Sequence, residues 1–341
     1  MKNIVCNIRN TQANTTGVQR YTNEIVKRIS NNLELVKPNN VFAGVKGHIW
    51  EQTVLPLKLK GRLLWSPANT GPLSVKNQVI SIMDMSPIDH PEWFSKRFSK
   101  WYQYMVPKLI NNCKAVITIS NFSKSRIVYH CPNTEDKIHV THLAAHKKFK
   151  NTQLLYAKDN LNLPSKKYIL ALGSLEPRKN LNFLLNAWKN VLNRIPDDTY
   201  LVVSGLSAYK NIFADYSIKK IPQRVHFTGY IEDEELPNLY SNALALTYTP
   251  LYEGFGLPPL EAMSCGTPVI TSNNTSIPEV VGDAAIKINP NDVEECSNAI
   301  YKIIHEEQLR KKLIARGLIK SKAYSWDLTA NKTLEILEKA L

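Results

Sequence analysis

Two carboxylates eight positions apart, Glu253 and Glu261, are the residues of this 341-residue chain with the clearest chemical purpose. They lie in Tyr248-Thr-Pro-Leu-Tyr-Glu-Gly-Phe-Gly-Leu-Pro-Pro-Leu-Glu-Ala-Met-Ser-Cys-Gly-Thr-Pro-Val-Ile270. One carboxylate accepts two O–H donors, so it suits vicinal hydroxyls; a pair so spaced can grip two sugars, one on each side of a diphosphate. Gly254 and Gly256 let backbone amides approach a ligand, and a helix opening around Pro258 aims its positive end at hydroxyl or phosphate oxygens.

Adjacent cations occur in Leu172-Gly-Ser-Leu-Glu-Pro-Arg-Lys-Asn-Leu181, where Arg178 and Lys179 are placed to pair with phosphates. In Phe227-Thr-Gly-Tyr-Ile-Glu-Asp-Glu-Glu-Leu236, Gly229 ends a strand, and Tyr230 and Ile231 can frame a base through backbone hydrogen bonds and stacking. The acidic run Glu232 to Glu235 reads as the first turn of a helix, satisfied by the helix dipole, rather than as a metal site. No Asp-x-Asp occurs, so no bound divalent cation is expected. In Thr15-Thr-Gly-Val-Gln-Arg-Tyr21, Gly17 permits close backbone approach and Arg20 adds charge or serves the structure.

Strands and helices must position these loops. Apolar, β-branched runs fall at Asn3 to Ile8, Gln78 to Asp84, Lys114 to Ser120 and Lys137 to Leu143. In the second half they fall at Tyr168 to Ser174, Tyr200 to Gly205, Val225 to Tyr230, Ala243 to Thr249 and Pro268 to Ser272. Helical stripes lie between them: Val18, Tyr21, Ile25 and Ile29 form one, and Leu181, Leu184, Leu185, Trp188 and Val191 another. The alternation implies an α/β fold with parallel sheets covered on both faces. A polar, Lys-rich stretch from Ala145 to Lys166 marks the boundary, giving domains at 1–160 and 161–324. Tyr324 to Leu341 forms an amphipathic helix capped at Ser325 or Asp327. Ligands of such sheets bind beyond the carboxyl ends of the strands, which is where all the segments above fall.

With these motifs the sequence resembles the retaining glycosyltransferases of family 4, whose hallmark is the Glu-x7-Glu pattern matched by Glu253 and Glu261. The resemblance covers nearly the whole chain and is nearest to bacterial enzymes that build O-antigen and other surface polysaccharides. It implies the GT-B fold: two Rossmann-like, doubly wound domains meeting across a cleft, 1–160 binding the acceptor and 161–324 the nucleotide sugar, with helix 325–341 returned to the first. It implies that Glu253 contacts the donor sugar, that Glu261 holds the nucleotide ribose, and that the backbone from Phe255 to Leu257 faces sugar and phosphates. Gly173, Ser174, Arg178 and Lys179 fall in the donor-phosphate loop, Gly229 to Ile231 in the nucleobase loop, and Gly17 near the donor β-phosphate. Ser174 stands where many members carry an Arg. Met83-Asp84 stands where members commonly show His-Asp, and methionine cannot hydrogen-bond the donor's primary hydroxyl; either the donor is a 6-deoxyhexose, or Asp84 or His90 compensates. Ser120-Asn-Phe-Ser123 resembles another cleft loop, close to donor or acceptor.

The expected activity is transfer of a hexose or 6-deoxyhexose from a nucleotide-diphosphate sugar, with GDP-mannose or a GDP-6-deoxyhexose favoured, to a glycan or polyprenyl-pyrophosphate-linked acceptor. The family implies retention of anomeric configuration. No cofactor is implied. Alternatives are an isomerase or hydrolase of the same fold, and an inactive glycan-binding relative. Charge refines the choice of partner: residues 1–150 carry 22 Lys and Arg against 8 Asp and Glu, whereas the rest of the chain is balanced. Such a field suits a pyrophosphate-linked lipid or an anionic membrane. In Trp93-Phe-Ser-Lys-Arg-Phe-Ser-Lys-Trp-Tyr-Gln-Tyr104 aromatics and cations interleave as an interfacial helix would, or as a helix with half its aromatics in the core. Nucleic acid is not expected, since it explains neither the carboxylate pair nor the neutral second half. With no run of some 20 apolar residues and no signal pattern after Met1, a cytosolic protein is expected, peripheral at most to the membrane. Five scattered cysteines, with no CxxC pair, read as buried thiols.

Overall fold

A computed structural model describes residues 2–12, 17–40, 44–152, 163–165, 167–173, 175–205, 217–218 and 220–341. Its contacts divide the chain into two units. The first comprises Met1–Pro91, Lys96–Leu143 and Ser325–Leu341, and the second Glu92–Ser95 and Ala144–Tyr324.

The first unit carries six strands: β1 (Ile4–Asn7), β2 (Leu33–Val36), β3 (Leu63–Ser66), β4 (Gln78–Ser81), β5 (Ala115–Thr118) and β6 (Ile138–Val140). All pair in parallel, in the order β2-β1-β3-β4-β5-β6. Between them run α1 (Gly17–Ile29), α2 (Gly44–Leu59), α3 (Ser86–Asp89), α4 (Lys96–Asn112) and α5 (Asn121–His130). The central strands β1, β3, β4 and β5 are buried along their full length. Ile80, Ile82, Met105, Leu109, Val116 and Ile127 fill the core between the sheet and α4 and α5.

In the second unit β7 (Lys167–Leu172), α6 (Leu181–Val191), β8 (Thr199–Ser204), β9 (Val225–Gly229), α7 (Leu236–Ser241), β10 (Ala245–Tyr248), α8 (Leu257–Ser264), β11 (Val269–Ser272), α9 (Ile277–Val281), β12 (Ile286–Ile288), α10 (Val293–His305) and α11 (Glu307–Ser321) follow one another. Their parallel sheet runs β12-β11-β10-β7-β8-β9, the doubly wound order in which the winding reverses between β7 and β10. The stripe of Leu181, Leu184, Leu185, Trp188 and Val191 on α6 is buried against Ile169, Leu201 and Val203 of the sheet and Ile300 and Ile303 of α10.

The unit boundary falls at Leu143/Ala144 rather than at residue 160. Side chains beyond Leu143 are tied to α7 and its approach: Lys148 pairs with Asp233 at 3.2 Å, Phe149 meets Tyr240 edge-on at 5.9 Å, and the Thr152 amide donates to Ser241 Oγ at 3.1 Å. The last helix, α12 (Trp326–Lys339), belongs to the first unit. Ser325 Oγ accepts from the Asp327 amide, Arg28 on α1 donates to Asp327 at 2.6 Å, and Thr329 donates to the His142 carbonyl at 2.6 Å. The segment from Trp93 to Tyr104 is not one helix. A 3-10 turn, Pro91–Trp93, precedes α4, which opens at Lys96, and Phe98 stacks on Tyr102 at 4.2 Å.

Candidate functional site

The switch point of the second sheet collects the residues singled out for their chemistry. β7 ends at Leu172 and the chain passes through Gly173 into a 3-10 turn, Pro177–Lys179; Asn180 then takes a left-handed conformation (φ 59°) before α6 starts. β10, the neighbour of β7, ends at Tyr248 and leads into the loop before α8. The two loops are stitched together, since the Leu251 amide donates to the Arg178 carbonyl at 2.8 Å. Two long-range ion pairs join them again. Lys179 Nζ donates to Glu253 Oε2 at 2.9 Å, and Arg178 NH1 lies 3.6 Å from the same oxygen.

Tyr248 completes this cluster, accepting from Lys179 Nζ and donating to Glu253 Oε2. Lys179, Arg178 and Tyr248 thus converge on one carboxylate oxygen of Glu253, in a side chain only 14% exposed. Burial alone would raise the Glu253 pKa, but Lys179, Arg178 and the Tyr248 hydrogen bond outweigh it and hold the value down at about 2. The reverse holds for Tyr248, whose phenol burial and the neighbouring Glu253 charge push well above its ordinary range. At neutral pH the cluster is therefore an ionised carboxylate, a neutral phenol and two cations. Arg178 has a second carboxylate, its Nε donating to buried Glu176 at 2.6 Å.

The glycine loop is held from behind. Ser276 Oγ donates to the Glu253 carbonyl at 2.8 Å, Asn274 to the Leu251 carbonyl at 3.0 Å, and Ser272 to the Pro250 carbonyl at 2.7 Å. Gly256, at φ 110°, precedes α8, and a Cβ there would meet Ile277 Cδ1 at 2.9 Å. Gly254 and Phe255 are buried, and Leu257 opens the helix with Pro258 and Pro259 in its first turn. Glu261, one turn in, is 5% exposed and accepts from Tyr240 at 3.1 Å. Gly229 ends β9 at φ 72°, with Tyr230 exposed and Ile231 half-buried after it. The acidic run Glu232 to Glu235 forms the turn before α7, where Asp233 pairs with Lys148. Among the described residues no group of His, Cys, Asp and Glu is arranged to hold a metal ion. Ser174, Thr15 and Thr16 lie outside the described residues.

In the first unit Gly17 begins α1 and is exposed, with Arg20 half-buried one turn later. Met83 is 6% exposed; its amide donates to Asn69 Oδ1 and its carbonyl accepts from Ser123 Oγ. Asp84 Oδ1 accepts from the amide and the hydroxyl of Ser86. Ser120 is fully buried, and its hydroxyl caps α5 by accepting from the Ser123 amide at 3.0 Å. Sequence reading missed Tyr248, Glu176 and Tyr240 as members of the site. Tyr248 sat inside the quoted segment, but nothing marked its hydroxyl as a bridge between residues 69 and 5 positions away.

Two Rossmann-type units, with a C-terminal helix returned to the first, define the GT-B class of α/β proteins. The chain belongs to the group 1 glycosyl transferases: that family's model matches residues 156–318, and the chain is 32% identical over 268 residues to O-antigen chain mannosyltransferase B of Escherichia coli, covering 77% of this chain and 70% of that protein. It is 30% identical over 248 residues to O-antigen chain mannosyltransferase RfbU of Salmonella typhimurium, covering 71% of this chain and 65% of that one. Sucrose-phosphate synthase from Thermosynechococcus elongatus superposes over 98% of both chains with a TM-score of 0.78 at 16% identity, a likeness of fold alone.

Proposed function

We propose that the protein is a retaining, metal-independent hexosyltransferase of surface polysaccharide synthesis. It moves a hexose or 6-deoxyhexose from a nucleotide-diphosphate donor, GDP-mannose or a GDP-6-deoxyhexose by preference, to a glycan or polyprenyl-pyrophosphate-linked acceptor. The observation that carries this reading is the convergence of Arg178, Lys179, Tyr248 and Glu253 at the β7/β10 switch point. The names of the mannosyltransferase relatives support the choice of sugar and pathway.

Breaking the sugar–phosphate bond builds positive charge on the sugar and negative charge on the departing diphosphate. Arg178 and Lys179 stabilise that negative charge, together with backbone amides near Phe255 at the start of α8; losing one such donor costs roughly 10²–10³ in turnover. Both cations rest on carboxylates, Glu176 and Glu253, so an incoming diphosphate exchanges with them and not with water alone. Glu253, ionised and fixed through Oε2, keeps Oε1 as an acceptor for hydroxyls of the donor sugar. Glu261, oriented by Tyr240, takes the ribose, and Gly229, Tyr230 and Ile231 take the base. No side chain supplies an evident nucleophile, and front-face attack assisted by the leaving phosphate follows. The roles of Gly17, Arg20, Met83 and Asp84 rest on the family resemblance alone.

Peripheral contact with an anionic membrane is part of the proposal. It is supported by the exposed Lys96, Arg97, Lys100 and Lys108 on α4, with Tyr104 52% exposed among them, and by Val45, Ile49 and Leu57 exposed on α2. Among the described residues no helix is long and apolar enough to cross a membrane. The test of the donor site is a thermal-shift panel of GDP, UDP and dTDP with their sugars, with and without EDTA. One nucleotide is expected to raise the melting temperature irrespective of EDTA, and Glu261→Ala to abolish the shift. No shift from any nucleotide defeats the proposal.

A further inference from the structure

The three groups around Glu253 Oε2 stand on different footings. Arg178 and Lys179 belong to the 3-10 turn Pro177–Lys179 and reach the carboxylate at the ends of long, half-buried side chains. Tyr248 is the last residue of β10, an interior strand of the second sheet. Its backbone is fixed by pairing with Thr271, whose hydroxyl donates to the Tyr248 carbonyl at 2.7 Å, and the residue is 3% exposed. Packing alone would be served as well by phenylalanine. The hydroxyl instead bonds to two ions of the site, Lys179 and Glu253.

A donor diphosphate changes this arrangement unevenly. Arg178 and Lys179 have the charge and the reach to turn towards phosphate oxygens. Tyr248 has neither, because burial and the Glu253 charge keep its phenol neutral. Lys179 can only donate and an ionised Glu253 can only accept, so the phenol proton is committed to Glu253. With both cations on phosphate, the phenol is the partner of Oε2 that stays. A buried carboxylate left without a donor takes up a proton or turns away. The hydroxyl opposes both. Being neutral, it also leaves the whole negative charge of Glu253 for the sugar, on which bond breaking builds positive charge. The charged and titratable groups around this carboxylate are Lys179, Arg178 and Tyr248, with Glu176 behind Arg178. From the side of α9 it meets neutral Ser276, which donates to the Glu253 carbonyl.

We infer that Tyr248 is a positioning residue for transfer, whose hydroxyl anchors Glu253 when a donor diphosphate draws Lys179 and Arg178 away. The inference rests on the transferase reading and adds to it the residue that carries Glu253 from its resting partners to the donor sugar. Tyr248 acts through Glu253 and touches no reacting atom.

The test is a carboxyl-carbon NMR titration of Glu253 in the full chain, its signal assigned with Glu253→Gln. It is run without ligand and saturated with GDP, UDP or dTDP, whichever raises the melting temperature. Tyr248→Phe removes the hydroxyl and keeps the ring. In the free protein Lys179 and Arg178 still hold the carboxylate, and the variant is expected to titrate within about half a pH unit of the wild type. In the loaded protein it is expected to titrate about one to two units higher, the tenfold to hundredfold effect of losing a hydrogen bond to a charged group. Transfer is expected to show kcat lowered about tenfold or more with the donor KM unchanged, since the hydroxyl acts after the cations have engaged the diphosphate. Tyr248→fluorotyrosine guards against a variant that does not fold: a more acidic phenol donates more strongly and is expected to lower the Glu253 titration in the loaded protein. Equal titration of Glu253 across the loaded proteins overturns the inference, and so does a Tyr248→Phe chain that loses donor affinity and kcat together, as a merely structural residue would. Either result leaves the transferase reading standing. Absence of a melting-temperature shift with every nucleotide overturns the reading beneath it.

Discussion

Replacing Lys179 by methionine keeps the length of the side chain and removes the charge that does most to keep Glu253 ionised. With a pKa of about 2 in the folded protein against an ordinary 4.5, Glu253 contributes roughly 3 kcal/mol of stability at neutral pH. Arg178, 3.6 Å away, and the Tyr248 hydrogen bond remain in the variant, so it forfeits part of this, about 2 kcal/mol. Because the folded-state pKa is depressed, the contribution is fully present above pH 4.5 and is lost as pH falls towards 2. Lowering the pH from 6 to 3 should therefore cost the wild type roughly 2 kcal/mol through this group, and the variant roughly 1.2 kcal/mol. Urea unfolding followed by circular dichroism across that range measures the gap between the two proteins. It is expected to be about 2 kcal/mol at pH 6 and to shrink to roughly 1.3 kcal/mol at pH 3, closing further as pH falls towards 2. A gap that stays constant with pH, or is absent at pH 6, refutes the electrostatic account of the cluster.

Three further changes probe the supports of the site and the fold. Gly256→Ala forces a side chain into φ 110° and requires the Ile277 δ-methyl to shift; a loss of about 1–3 kcal/mol in urea unfolding is expected, and wild-type stability would contradict the strain. Tyr240→Phe removes the buried hydroxyl that donates to Glu261, and should cost about 1–3 kcal/mol while weakening nucleotide binding in calorimetry; intact binding would show that Tyr240 does not orient Glu261. Ser325→Ala removes the cap of α12 and should lower stability by about 1 kcal/mol without altering nucleotide affinity, and a change in affinity instead would contradict a purely structural role.

Most strands could be read in the sequence from their β-branched, apolar runs, such as Val79-Ile80 and Val116-Ile117 in the first sheet and the run from Tyr168 to Leu172 in the second. β2, β3 and β12 escaped. β2 is a partly exposed edge strand, β3 has no β-branched residue, and β12 is a three-residue edge strand. Helix α2 was equally hidden: Gly44, Gly47 and Pro56 argue against a helix locally, and tertiary packing of Trp50, Leu55 and Leu59 overrides them. With α2 unseen, Glu51 had no address, although it is the most deeply buried carboxylate of the first unit. The donor loops were legible because glycine and proline punctuate them. Their pairing was not, because the bonds from Lys179 to Tyr248 and Glu253 close loops of 69 and 74 residues that only the sheet order brings together. The unit boundary moved for a related reason: Phe149 and Thr152 sit in a polar, Lys-rich stretch, and their partners lie near residue 240.

Transfer itself is the most direct measurement: incubation of the protein with GDP-mannose and mannobiose in EDTA, with products followed by mass spectrometry and anomeric configuration by NMR. The account predicts a mannotriose with an α linkage, formed only when both substrates are present and reduced at least roughly a hundredfold in Lys179→Met. Release of free mannose at the same rate with and without the acceptor, or transfer undiminished in Lys179→Met, would contradict it.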